Sequence, residues 1–199
     1  MRFILASASP ARLTALRSAG FDPEVIVSGV DESTVTEESA GRLARSLAKL
    51  KAKTVAASIT GDAYVLGCDS VLEFDGAIHG KPASDEEAIT RWKAMRGRSG
   101  VLHTGHCLID MSRDRRLTRS SSTTVHFSDI TDAEIAAYVA SGEPRQVAGG
   151  FTIDGKGGAF VSRIEGDHGT VIGLSMPMLR QMFTTWGIPI ATLWHTHQE

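Results

Sequence analysis

Cysteine is almost missing from this chain: Cys68 and Cys107 are the only two among 199 residues, and they form no CxxC pair. A disulfide framework or a thiolate zinc site is thereby excluded, and both residues read as small core side chains inside strands. Aromatic residues are scarce, at 6%. No apolar run approaches the roughly 20 residues that span a bilayer, so no membrane partner is expected. The opening Met-Arg-Phe-Ile-Leu-Ala-Ser turns polar too soon for a secretory signal, which points to a cytoplasmic protein. Charge of one sign is lacking as well: 21 Lys and Arg stand against 23 Asp and Glu, a net −2. That balance argues against a nucleic acid polymer as partner.

Several catalytic signatures are absent too. There is no GxxxxGK[ST] loop, no GxSxG elbow and no HExxH, and Gly155-Lys156-Gly157-Gly158-Ala159-Phe160 fails the dinucleotide fingerprint at its last position. His103 and His106 lie three apart in an expected strand and so face opposite ways. His195 and His197 share a face of an expected terminal strand, but at a fraying end. No histidine metal site is expected.

What the chain has is an ordinary globular balance, 42% hydrophobic and 22% charged, with 20 glycines. Glycine above the usual share of about 7% indicates tight turns or backbone close to a ligand. One domain over 1–199, of two closely packed lobes, is expected. Strands are expected at 2–6, 24–28, 64–67, 71–74, 77–78, 101–111, 117–127, 151–153, 159–164 and 188–193. Between them run helices: one from Ser9-Pro10 to Gly20, a long one over 37–58 with Leu43, Leu47, Leu50 and Val55 at helical spacing, and one over 84–95. Thr131 and Glu134 form a capping box for a fourth, and Ser175 opens a last one ended by Gly187. The fold class is α/β, a mixed sheet flanked by helices.

The chemistry concentrates at strand ends. Ser7-Ala8-Ser9-Pro10-Ala11-Arg12 joins a strand to a hydroxyl-rich helix start, and its N–H groups, hydroxyls and guanidinium suit a phosphate. Asp31-Glu32 places two carboxylates in a loop. Gly67-Cys68-Asp69-Ser70 ends a buried strand on an acid, which needs a partner or a metal there. Gly80-Lys81-Pro82 holds a lysine in a rigid turn, and Lys51 falls inside the long helix. Two acids, two lysines and an arginine around a helix start can hold a divalent cation and a polyphosphate together.

These motifs, in order and over nearly the whole chain, resemble the Maf-like nucleotide pyrophosphatases. The family's Leu-Ala-Ser-x-Ser-Pro-Arg-Arg matches Leu5 to Arg12, its Leu-Ala-x-x-Lys-Ala matches Leu47 to Ala52, and its Gly-Ala-Asp-Thr matches Gly67 to Ser70. Gly80-Lys81-Pro82, Gly97-Arg98, Thr104-Gly105, Ser141-Gly142-Glu143-Pro144, Ala148-Gly149, Ile164-Glu165-Gly166-Asp167 and Val171-Ile172-Gly173-Leu174 also follow its pattern. The resemblance implies an elongated two-lobed fold with a central cleft, a possible homodimer, and a nucleoside triphosphate split into monophosphate and pyrophosphate with Mg²⁺, Mn²⁺ or Co²⁺. It makes Asp69, Glu32, Lys51 and Lys81 catalytic, with Glu32 and Asp69 on the metal, and Ser7, Ser9, Arg12 and Asp154 on substrate. The chain departs from the family at Ala11, where an arginine pair is usual, at Gln146 and Val147, and at Asp154, where glutamine is frequent. The expected substrates are dTTP, UTP or modified nucleotides. The alternatives are 7-methyl-GTP, inosine or xanthosine triphosphates, and, in a different class, a nucleotide-binding regulator of septum formation.

Overall fold

The computed structural model of the chain describes residues 1–195. Its strands are β1 (Arg2–Leu5), β2 (Glu24–Val25), β3 (Ala63–Phe74), β4 (Ala77–His79), β5 (Ser99–Asp110), β6 (Arg115–Phe127) and β7 (Val161–Glu165). The helices are α1 (Pro10–Ser18), α2 (Ala40–Ser58), α3 (Asp85–Met95), α4 (Asp132–Ala140), α5 (His168–Ile172) and α6 (Met176–Thr185). All seven strands form one mixed sheet in the order β2-β1-β3-β5-β6-β7, with β4 beside β3. The β1 strand pairs parallel with β2 and β3, and every other pairing is antiparallel. No helix among the described residues is long and apolar enough to cross a membrane.

Local chemistry sets many boundaries. Ser9 caps α1 by accepting from the Arg12 N–H, with Pro10 in the first turn. Thr131 and Glu134 close the expected capping box on α4. Asp75 and Gly76 both take positive φ, 53° and 74°, as the two-residue turn between β3 and β4 requires.

Elsewhere the structure differs from the sequence expectation. The 64–67 and 71–74 strands are one strand, β3, so Asp69 lies in its interior and not at an end. No strand forms over 151–153, and 156–160 is a 3-10 turn that precedes β7. The expected strand at 188–193 is a 3-10 turn over Ile190–Leu193, because Pro189 removes a ladder donor at its start. His195 therefore lies outside any strand, and His197 falls outside the described residues.

The buried stripe of α2 consists mainly of alanines, Ala40, Ala44, Ala48 and Ala52, with Leu47, Lys51 and Val55, while Leu43 and Leu50 are only half-buried. Small residues let this helix lie almost on the sheet backbone. A Cβ added to Gly67 would stand 2.3 Å from the Ala48 carbonyl oxygen, and one on Gly105 would stand 2.1 Å from that of Ala44. Gly105 pairs with Asp69, so this close approach is what brings Lys51 of α2 down to the strand. Gly105→Ala must push helix and sheet apart, and is expected to cost at least about 2 kcal/mol in urea unfolding. A loss under 0.5 kcal/mol would show that the contact gives way easily.

The last fold feature positions the site. The β1 pairing with β3 stops at Leu5 and Leu66, and β4 joins the same edge only from Leu72. Residues 67–71 of β3 therefore have β5 on one side and no strand on the other. The sheet has a gap there.

Candidate active site

Three groups meet at the α2 side of this gap. Lys51 Nζ donates to Asp69 Oδ1, and lies 2.7 Å from Glu32 Oε1. Lys51 and Asp69 are buried, whereas Glu32 is exposed. Glu32 belongs to a 3-10 turn, Glu32–Thr34, capped by Asp31, whose Oδ1 accepts from the Ser33 N–H at 3.0 Å and the Ser33 hydroxyl at 2.6 Å. The two acids thus differ: Asp31 builds the turn and Glu32 reaches the lysine. Burial pushes the Asp69 carboxyl above its ordinary range, against the pull of Lys51 and Arg12. A raised value suits a group that must take a proton from water.

On the other side of the gap, Arg12 is buried and tied at four points. Its Nε donates to the Gly173 carbonyl at 2.8 Å, and Nη1 donates to Ser7 Oγ at 3.1 Å and the Cys68 carbonyl at 2.9 Å. Nη2 donates to Ser70 Oγ at 3.1 Å. Ser7 Oγ accepts a second time, from the Ser9 N–H at 3.2 Å. Neither the Ser7 nor the Ser9 hydroxyl has a described acceptor for its own hydrogen, so both can turn to a ligand.

The remaining sequence-derived residues stand apart from these two sets. Lys81 is exposed and makes no ion pair among the described residues. Its turn is held from below, because the Gly80 carbonyl accepts from Arg91 Nη1 at 2.7 Å and from the Gly149 N–H at 3.0 Å. Asp154 is exposed on the 152–157 loop. That loop wraps the Glu143 carboxylate, which accepts from Tyr138 OH, Thr152 Oγ1 and the Lys156 and Gly157 N–H groups. Burial would raise the Glu143 carboxyl, but those donors outweigh it and hold it low.

Behind Arg12 stands a row of buried and half-buried hydroxyls whose connection the sequence does not reveal. Ser70 Oγ and Thr104 Oγ1 are 2.8 Å apart, and Thr104 donates to the Thr170 carbonyl at 2.8 Å. Thr170 Oγ1 in turn bonds Ser121 Oγ and Asp167 Oδ2. Thr104 belongs to the family-like Thr104-Gly105 pair, but no spacing rule ties it to Ser70 or Arg12.

Residues 2–186 match the family described as Maf-like protein. The chain belongs to the Maf-like family. Its relatives include a nucleoside triphosphate pyrophosphatase of Salinispora tropica, 57% identical over 98% of this chain and 88% of that protein. A Streptomyces coelicolor protein of the same name is 56% identical over 97% of this chain and 94% of its own. One from Gloeothece citriformis is 51% identical over 96% and 97%. Among solved structures, a dITP/XTP pyrophosphatase from Mycobacterium abscessus aligns at 13% identity with a TM-score of 0.41, over 65% of this chain and 76% of that one.

One buried group of this Maf-like chain gives a pH handle on stability. His106 is fully buried, and its Nε2 accepts from the Ser175 N–H at 2.9 Å, while Nδ1 makes no close hydrogen bond among the described residues. Burial, with Arg12 adding to it, pushes the imidazole down from 6.5 to about 4. The unfolded chain then binds a proton between about pH 6.5 and 4 that the folded chain refuses. Stability is therefore full above pH 6.5 and falls as pH drops towards 4, by about 3 kcal/mol from this residue. His106→Gln, which keeps an acceptor for Ser175, should flatten that slope. An unchanged slope would assign the acid sensitivity to other groups.

Proposed function

We propose that this protein hydrolyses nucleoside triphosphates between the α and β phosphates, releasing monophosphate and pyrophosphate, on free nucleotides in the cytoplasm. The observation that carries the reading is the buried Asp69–Lys51 pair standing in a break of the sheet beside Ser7 and Arg12. A buried carboxylate is costly even when paired, and one held at a gap in the sheet with a raised proton affinity marks a candidate catalytic group. The names of the relatives add support for the same activity.

In this reading Asp69 takes the proton of the attacking water as it meets the phosphorus. Lys51 holds Asp69 in place and keeps one N–H for a phosphate oxygen. Ser7 and Ser9 donate to the phosphate chain at the start of α1, and Lys81, on its braced turn, meets the pyrophosphate that leaves.

The site's own charges bear on a metal. Asp69 and Glu32 are cancelled by Lys51 and Arg12, which leaves little positive charge for a triphosphate. Among the described residues, no three His, Cys, Asp or Glu side chains gather as a cation cage. Two carboxylates do fit a divalent cation that keeps its waters and travels with substrate phosphates. Glu32 and the free oxygen of Asp69 would hold it. When bound, it supplies charge neutralisation on the triphosphate.

For the base, Asp154 narrows the choice without making it. An ionised carboxylate only accepts hydrogen bonds, so it favours an N–H edge, which thymine, uracil and guanine all present. We place dTTP and UTP first because the Ser7-Ala8-Ser9-Pro10 opening is closer to the branch of the family associated with those substrates. Pyrophosphate release is to be measured over ordinary, methylated and deaminated triphosphates with Mg²⁺, Mn²⁺ and Co²⁺. Turnover of none of them overturns the activity. A kcat/KM for 7-methyl-GTP ten times that for dTTP and UTP, about 1.4 kcal/mol in transition-state binding, overturns the pyrimidine preference.

A further inference from the structure

Donor counting in the hydroxyl row behind Arg12 gives it a direction. The Thr170 carbonyl can only accept, so the single hydrogen of Thr104 Oγ1 is spent on it at 2.8 Å. The 2.8 Å contact between Ser70 and Thr104 must then carry the Ser70 hydrogen. With its hydrogen turned to Thr104, Ser70 Oγ presents lone pairs to Arg12 Nη2, 3.1 Å away. The chain runs one way, from Arg12 through Ser70 and Thr104 to the backbone of α5.

The count also decides what Arg12 has left. A guanidinium has five N–H groups, and Gly173, Ser7, Cys68 and Ser70 take four of them. One hydrogen on Nη2 remains, on the nitrogen that Ser70 holds. The direction in which that hydrogen points therefore depends on Ser70, and through Ser70 on Thr104, which is fully buried.

We propose that Thr104 is a positioning residue: by fixing the Ser70 hydroxyl as an acceptor, it aims the one free N–H of Arg12 into the sheet gap. This rests on the proposed function for its catalytic consequence, but not for the hydrogen-bond chain itself. Without the Thr104 hydroxyl, the Ser70 hydrogen has no fixed acceptor. The hydroxyl can then rotate and set a hydrogen against Nη2, and the fork loosens.

The experiment compares Thr104→Val, which keeps the shape, with Thr104→Ser, which keeps the hydroxyl, together with Ser70→Ala and the Ser70→Ala/Thr104→Val double variant. Triphosphate turnover and urea unfolding are read on each, alongside Arg12→Met and Arg12→Met/Thr104→Val. Thr104→Val should lower kcat about tenfold with KM within twofold, and Thr104→Ser should stay within twofold of wild type. The double variant with Ser70→Ala should be no worse than either single change, because the groups act as one chain. The unfolding losses of Arg12→Met and Thr104→Val should likewise fall short of their sum. A Thr104→Val enzyme with wild-type kcat, a Thr104→Ser enzyme as impaired as Thr104→Val, or turnover losses that multiply would each overturn the assignment. If wild type turns over no triphosphate, the proposed function fails, and the unfolding cycle alone decides: additive losses reject the chain and non-additive ones uphold it.

Discussion

Asp69→Asn should lower kcat by about 10²–10⁴-fold while KM changes little, the loss typical of a missing general base. The fold should survive, because the amide oxygen can still accept from Lys51 and Glu32 remains 2.7 Å from the same ammonium. Binding measured by calorimetry with an unhydrolysed triphosphate should be unchanged or tighter, since one negative charge facing the phosphates is gone. Steady-state kinetics and that titration together decide the role. A variant with near-normal kcat would reduce Asp69 to a structural partner of Lys51, and another group would have to take the proton.

Arg12→Ala should fail in two ways at once. It leaves the buried carbonyls of Gly173 and Cys68 without their donors, at about 1–3 kcal/mol each, so a destabilisation of about 4 kcal/mol is expected in urea. It also removes the guanidinium bonded to Ser7, and turnover should drop below detection in the standard assay. Arg12→Lys should recover little of either loss, because one ammonium cannot reach four acceptors set around a planar fork. Stability within 1 kcal/mol of wild type for Arg12→Ala would show that water replaces the fork. Full recovery by lysine would show that charge alone matters.

Both predictions rest on residues that were legible in the sequence, yet their setting was not. The Ser-x-Ser-Pro start, the capping box at Thr131 and the Asp75-Gly76 hairpin are local devices, and each formed where its residues stand. Asp69 looked like a strand end because Gly67 breaks the apolar run. In the structure that glycine is there to admit the α2 backbone, and the strand continues through it. The alanine stripe of α2 was hidden for a similar reason, since leucine spacing draws attention and alanine does not, although close approach demands alanine. The ion pair of Lys51 with Asp69 could not be read from spacing: α2 and β3 are joined by a turn whose geometry no local signal fixes. Thr104 stands in a Thr104-Gly105 pair that fits the family pattern, yet that pair assigns it no role, and Thr170 lies in no motif; their meaning comes from hydrogen counting that only coordinates permit.

The Arg12 clasp has a consequence for how the protein comes to be active. Its four bonds span sequence separations of 5, 56, 58 and 161 residues, so its acceptors are drawn from both ends of the chain. Loop closures of that length are slow, and the longest waits until α5 has been synthesised and docked on β5. A nascent or partly refolded chain can hold the early βαβ unit and still lack the clasp. In the proposed reading such a chain has no competent phosphate seat, so nucleotides would meet either a finished enzyme or an inert one.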